Sequence, residues 1–225
     1  MITMEKNNTE DNSKINELIS LMNKKEKLNE ELIAFLDNRG YFPMLRHPLV
    51  FSVPYSEAFN AMLNVQLAEK TKKAKQYYQE KKFSSYIFIH ERPYRLNALL
   101  DCVMFLEGKE YWELLSDVWV DSENIWQNIK IWKKLLKQNK ETKHFFMSDD
   151  DKAEFDKLPE AFTVYRGYIE GKNKSGLSYT TDKKRAMWFA NRFGKNGKVA
   201  ELTVSKKDVL AYTNRRDEKE IIFLK

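Results

Sequence analysis

An α+β chain is predicted, with a mostly helical N-terminal region over residues 1–157 and a small β-rich module over residues 158–225. Three observations predict it. Five of the seven glycines fall between Gly167 and Gly197, whereas all five prolines precede residue 160. Apolar residues recur at helical spacing before Pro159 and tend to alternate after it. Charge divides near the same place: 17 of the 39 Lys and Arg but only 11 of the 33 Asp and Glu lie in residues 151–225, so the whole excess of +6 is C-terminal.

The elements follow in order. Residues 13–37 place Ile15, Leu18, Ile19 and Met22, then Leu28, Leu32, Phe35 and Leu36, at helical intervals, with Asn12 or Ser13 as cap and Gly40 just beyond the end. A loop with Pro43, Pro48 and Pro54 separates this helix from a second, opened by Ser56 and running to about Lys82 through Phe59, Met62, Leu63 and Leu67. Its far end, KTKKAKQYYQEKK, is a basic, tyrosine-bearing face whose default is solvent. SSYIFIH (84–90) reads equally as a short buried strand or as a helix. Helix resumes over 94–139, where Trp112, Trp119 and Trp126 are seven apart and Trp132 follows, the spacing of core aromatics. Asp121 or Ser122 is the expected cap of the last long helix, whose end carries Lys133, Lys134, Lys137 and Lys140.

Past Pro159, strands are expected around Phe162 and Val164, at LSYTT, KVAELTV, DVLAY and EKEIIFL, with KKRAMWFANRF a short helix capped by Asp182 and closed by Gly194. The 42% hydrophobic and 13% aromatic shares are those of a packed protein. No window approaches the roughly 18 apolar residues of a membrane span, and MITMEKNNTEDNSK lacks a signal peptide's apolar segment, so a cytoplasmic protein with no membrane partner is expected. Cys102, the single cysteine, lies in an apolar run and is read as a buried thiol. The sequence carries no phosphate-binding glycine loop and no Cys/His zinc spacing; His47, His90 and His144 have no local ligand partner, and no metal is expected.

Chemistry is sought where polar residues interrupt the strands. They are Arg166 in VYRG, Ser178 with Thr180 and Thr181 in GLSYTT, and Glu218 with Glu220 in DEKEIIFL. Two apart at the head of a strand, the glutamates are expected on one face. An arginine nearby can bind a diphosphate or pair with one carboxylate, and a serine hydroxyl can hold the other. The plainer alternative is a surface ion-pair network on a sheet edge.

In their order these elements resemble the arginine-serine-glutamate class of mono-ADP-ribosyltransferases: Tyr165-Arg166-Gly167, then Ser178-Tyr179-Thr180-Thr181-Asp182, then Ala186-Met187-Trp188-Phe189-Ala190, then Glu218-Lys219-Glu220-Ile221-Ile222. The resemblance covers about residues 158–225; it departs from the usual Ser-Thr-Ser in having Tyr179 at the middle place, and the loop TNRRD before Glu218 is short and basic. It implies NAD as substrate, with Glu220 stabilising the ribose cation and holding the 2'-hydroxyl. Ser178 would orient Glu220, Arg166 would engage NAD phosphate or ribose, and the Gly167 backbone would hold the nicotinamide amide. Glu218 would position or deprotonate the acceptor. Tyr179, Trp188 or Phe189 would stack on nicotinamide, with Thr180 beside them, although the core is the stronger expectation for Trp188 and Phe189.

The resemblance further implies a macromolecular acceptor, protein arginine first, and the setting of an intracellular bacterial toxin or phage host-modifying enzyme. Two alternatives stand beside it. One keeps the chemistry but takes RNA or DNA as acceptor, as in the toxin of a phage-defence toxin–antitoxin pair with an antitoxin or regulatory partner; the basic C-terminal module supports it. The other is a non-catalytic nucleic-acid or protein-binding module on the same fold.

Overall fold

A computed structural model describes residues 24–123, 125–138, 140–192, 194 and 196–224, together with 16, 20 and 21. The chain is α+β and divides into two compact units, Met1–Ala98 and Leu99–Lys225. Helix therefore lies in both units, and the segment 99–157 belongs with the sheet rather than with the first 98 residues.

In the first unit the long helix expected over 13–37 is not continuous. Residues 24–29 are irregular, and helix α1 (Glu30–Ile33) is a single turn capped by Asn29, whose side chain accepts from the Glu31 amide. The expected Asn12 or Ser13 cap lies outside the described residues. Partners from later in the chain accompany the break: Asn60 and Asn64 donate their side-chain amides to the carbonyls of Glu26 and Lys27, which an unbroken helix would use internally. Short strands β1 (Leu36–Asp37), β2 (Met44–Leu45) and β3 (Val53–Pro54) form a small antiparallel sheet. Helix α2 (Asn60–Gln79) follows a 3-10 turn at Glu57–Phe59, close to the predicted span. Leu28, Leu32, Leu45, Val50, Leu63 and Leu67 form the core of this unit. SSYIFIH resolves as helix, α3 (Phe83–Ile89), and α4 (Arg95–Cys102) spans the boundary between the units.

The second unit begins with α5 (Gly108–Asp121) and α6 (Ile129–Leu135), linked by the Tyr111 hydroxyl donating to the Leu135 carbonyl at 2.7 Å. Asp121 and Ser122 do not cap α6; they end α5, the Ser122 hydroxyl turning back to the Val118 carbonyl at 2.6 Å, and Asn128 precedes α6. Trp112, Trp119, Trp132 and Phe146 interlock edge to face as the buried centre of this helical layer. Trp126 departs from the expected core role and is 46% exposed. Cys102 is fully buried, and burial pushes its thiol up to about 12, which makes it inert.

Helix α7 (Asp149–Asp156), capped by Ser148, leads into the sheet. Its strands are β4 (Ala161–Tyr168), β5 (Ser178–Thr180), β6 (Lys198–Ser205), β7 (Val209–Thr213) and β8 (Glu220–Phe223), ordered β6-β4-β5-β8-β7 and antiparallel at every junction. Val164, Tyr179, Val204, Val209, Tyr212, Ile221 and Phe223 are its core, with Met147, Phe155 and Leu158 packed against them. The long β4–β6 ladder pairs Ala161 with Ser205 through Tyr168 with Lys198, whereas β4 meets β5 only at Tyr165 and Thr180.

Helix α8 (Lys183–Asn191) has the predicted Asp182 cap, whose carboxylate accepts from the Lys184 and Arg185 amides. It lies on β4 through small residues. A side chain at Gly167 would strike the Ala186 carbonyl and the Ala190 amide, and one at Gly197 would strike Ala190. Ala186 and Ala190 are thus the buried positions of α8, and Trp188, expected in the core, is 52% exposed.

Gly167→Ala should force α8 off β4 and destabilise the chain by about 1–3 kcal/mol, as overpacking does. Urea unfolding checks this; an unchanged midpoint would contradict the close approach.

Candidate active site

A cavity of about 270 Å³ opens where β4 and β5 part company, and eight of the residues singled out from the sequence line it, Arg166, Gly167, Ser178, Tyr179, Thr180, Phe189, Glu218 and Glu220, whereas Thr181 and Trp188 do not. Residues of α5 and the segment after it complete the wall, among them Trp119, Ser122 and Trp126.

Glu220 begins β8 opposite Thr180, with Ser178 two residues along the same face. The Trp119 indole Nε1–H donates to its carboxylate at 3.1 Å. Burial pushes the Glu220 carboxyl above the ordinary carboxylate range; hydrogen bonding from Ser178 and Trp119 pulls it back, the Glu218 charge adds to the rise, and Arg216 opposes it. A half-buried acid held by two donors and bordered by charges of both signs is an arrangement that tunes reactivity.

Glu218 reaches the cavity by a different route from the one expected. It precedes β8, between Asp217 at φ 54° and Lys219 at φ 46°, so simple strand alternation does not place it beside Glu220. Two non-glycine residues in left-handed backbone cost about 1–3 kcal/mol each and persist only where surrounding bonds impose them. Those bonds are present. The Thr180 hydroxyl donates to the Glu218 carbonyl at 2.6 Å, Thr181 donates its amide to the Lys219 carbonyl, and the Asn214 side chain accepts from the Lys219 amide. Asp151, buried on α7, accepts from the Asn214 amide at 2.8 Å. Arg185 donates to the Asp217 carbonyl. From the other side, Arg215 donates to Asp117 and Ser116, and Arg216 to the Val120 carbonyl, all on α5.

Arg166 has a different immediate task from a phosphate clamp. Its Nε donates to the Asn173 carbonyl at 3.1 Å and its Nη1 to the Ser178 carbonyl at 2.5 Å. Gly176 lies so close to the guanidinium that any side chain there would strike it. Arg166 therefore bridges β4 to β5 where their ladder stops and fixes the loop between them. Desolvation lowers its pKa while Tyr179 and the Glu220 charge raise it, so its charge is felt by the carboxylate.

Three further expectations are corrected or narrowed. Tyr179 borders the cavity but is 5% exposed, with its ring centroid 4.7 Å from that of Phe223, so most of its ring is spent in the core. Thr180, also buried, spends its hydroxyl on the Glu218 carbonyl and the Asp182 amide. Gly167 is small because α8 needs the space. Phe189, half-buried, is the member of the α8 aromatic pair that lines the cavity, and Trp188 does not.

The sequence reading missed Trp119, Arg215, Arg216, Asn173 and Arg192 as parts of the site or its support. Trp119 carried the one available signal, since a buried indole needs an acceptor for its N–H. Among the described residues no group of His, Cys, Asp and Glu is placed to hold a metal ion, and no helix is long and apolar enough to cross a membrane.

Trp119→Phe keeps the aromatic packing and removes the donor, so the Glu220 carboxyl should titrate at still higher pH than in the wild type. Carboxyl-carbon NMR reads this; an unmoved titration would show that the indole does not hold the charge. Compared with protein-family models, with curated proteins and with solved structures, the chain matches none, so its chemistry is read from this geometry.

Proposed function

We propose that the protein is an NAD-dependent mono-ADP-ribosyltransferase that releases nicotinamide and passes ADP-ribose to a macromolecular acceptor. The observation that carries this reading is the convergence of two separate stretches of the chain, one with Arg166 and Ser178 and one with Glu218 and Glu220, around one cavity in which the Trp119 indole donates to the Glu220 carboxylate. A surface ion-pair network would not require a cavity, nor a half-buried carboxylate whose hydrogen-bond donor is the neutral indole N–H of Trp119.

The cavity fits part of the substrate. Its volume, about 270 Å³, is just under the lower end, about 300 Å³, of pockets for drug-sized ligands. It suits a nicotinamide–ribose half and leaves the adenosine diphosphate half to extend along the rim. Phe189 offers an apolar wall to the nicotinamide ring, and Asn173 and Ser122 offer polar groups.

In the reaction the bond between nicotinamide nitrogen and ribose C1' breaks, its electron pair leaves with nicotinamide, and positive charge develops on the ribose. Glu220, ionised and fixed by Trp119 and Ser178, stabilises that charge more in the transition state than in the ground state. Arg166 braces the β4–β5 junction, so that Ser178 and Glu220 need not reorganise as the charge forms. Glu218, presented by the strained turn, takes the proton from the acceptor nucleophile as it attacks C1'.

Glu220→Gln keeps the size of the side chain and removes its charge, so nicotinamide release should fall by about 100- to 1000-fold. Wild-type release should rise with pH along a limb displaced above the titration of a free glutamate, because only ionised Glu220 is active and burial favours its neutral form. The same sign serves as a folding control. A raised folded-state pKa gives stability below the unfolded value and loses it as pH rises through the folded value, so the Gln variant should be no less heat-stable than wild type at neutral pH. Equal nicotinamide release by the two proteins would overturn the assignment.

A further inference from the structure

The outer face of α8 has a composition that folding explains only in part: Lys183 pairs with Glu201 and Arg185 with Asp217, which leaves the exposed indole and the remaining cations to be accounted for. From Lys183 to Arg192 the chain carries Lys183, Lys184, Arg185 and Arg192 and no acidic residue. Among them Met187 and Trp188 are 51% and 52% exposed. A helix seated through Ala186 and Ala190 needs only soluble residues outside, yet an indole stands there between two guanidinium groups. Arg185 Cζ lies 5.9 Å and Arg192 Cζ 5.6 Å from the Trp188 ring centroid. Lys183 Nζ similarly stands 5.4 Å from the Tyr165 ring centroid.

The face is continuous with the candidate active site. Trp188 meets Phe189 edge to face at 5.0 Å, and Phe189 and Arg192 both line the cavity. On the opposite wall Trp126 is 46% exposed. Exposed indoles beside the cavity, one of them bracketed by cations, are the elements by which proteins hold unpaired bases and the phosphates between them. An acidic protein surface would meet the cations but brings no ring to stack on the indole as a matter of course, and a duplex has no open base faces to offer it.

We infer that α8 is a docking platform for single-stranded nucleic acid, with Trp188 stacking on a base and Lys184 and Arg192 tracking phosphates beside the ion-paired Lys183 and Arg185, so that a neighbouring nucleotide reaches the cavity as the ADP-ribose acceptor. The docking step stands on the α8 surface alone; the acceptor step rests on the proposed NAD chemistry. Recognition is by stacking and charge, which tolerates different sequences.

The test is fluorescence anisotropy of labelled single-stranded RNA and single-stranded DNA of about 10–15 nucleotides, without NAD, against duplexes of the same sequence. Wild type should prefer a single strand over the duplex. Trp188→Ala should weaken binding by about 5- to 150-fold, and Trp188→Phe should restore much of it. Lys184→Gln should lower the slope of log affinity against log salt by about 0.7. Whichever single strand binds better, RNA or DNA, names the acceptor. Trp188→Ala should still release nicotinamide from NAD when no acceptor is present. The inference is overturned by equal affinity of wild type and Trp188→Ala, by preference for duplex, by loss of nicotinamide release in Trp188→Ala, or by label from NAD appearing in protein and not in nucleic acid. Absence of nicotinamide release by wild type would overturn the NAD reading and leave the single-strand binding result to stand by itself.

Discussion

A carboxylate inside a protein keeps its charge only if donors replace the water it has lost. Much of the second unit's architecture follows from meeting that requirement at Glu220. The indole of Trp119 must reach it at 3.1 Å, so α5 must lie against the head of β8. Trp119 is itself held by Trp132 and Phe146. The aromatic centre of the helical layer thus does more than exclude water, because it aims the one N–H that faces the acid.

The turn before Glu220 obeys the same constraint from the other direction. Its left-handed residues Asp217 and Lys219 are unfavourable alone. Bonds from Thr180, Thr181, Asn214 and Arg185, and anchors from Asp151, Asp117 and Ser116, hold the turn in one shape. Glu218 is thereby presented from a rigid turn, which suits a group that must meet an incoming nucleophile without rearrangement.

The strands and α8 were legible because their signals are local. Alternation marked β4 and β6, Asp182 capped α8, and the order of Arg166, Ser178 and Glu220 led to residues that do share a cavity. What stayed hidden depends on partners far away in the chain. Nothing near Trp119 shows that its acceptor lies 101 residues on, and nothing in VYRG shows that the arginine would bind main-chain carbonyls. The orientation of α8 does not follow from side-chain size, because Gly167 and Gly197 admit only Ala186 and Ala190 and leave the larger Trp188 outside. The N-terminal periodicity misled for a related reason: residues 24–29 have helical spacing but give their carbonyls at Glu26 and Lys27 to Asn60 and Asn64.

The central claim is that the cavity around Glu220 is where NAD binds. The most direct measurement is a titration of NAD into the Glu220→Gln variant, in which cleavage should be slow, followed through the Trp119 indole N–H and the Ser178 amide resonances. Saturable shifts of both signals at a common concentration are predicted, with the Trp188 indole moving less. Unmoved Trp119 and Ser178 signals at saturating NAD would contradict the account.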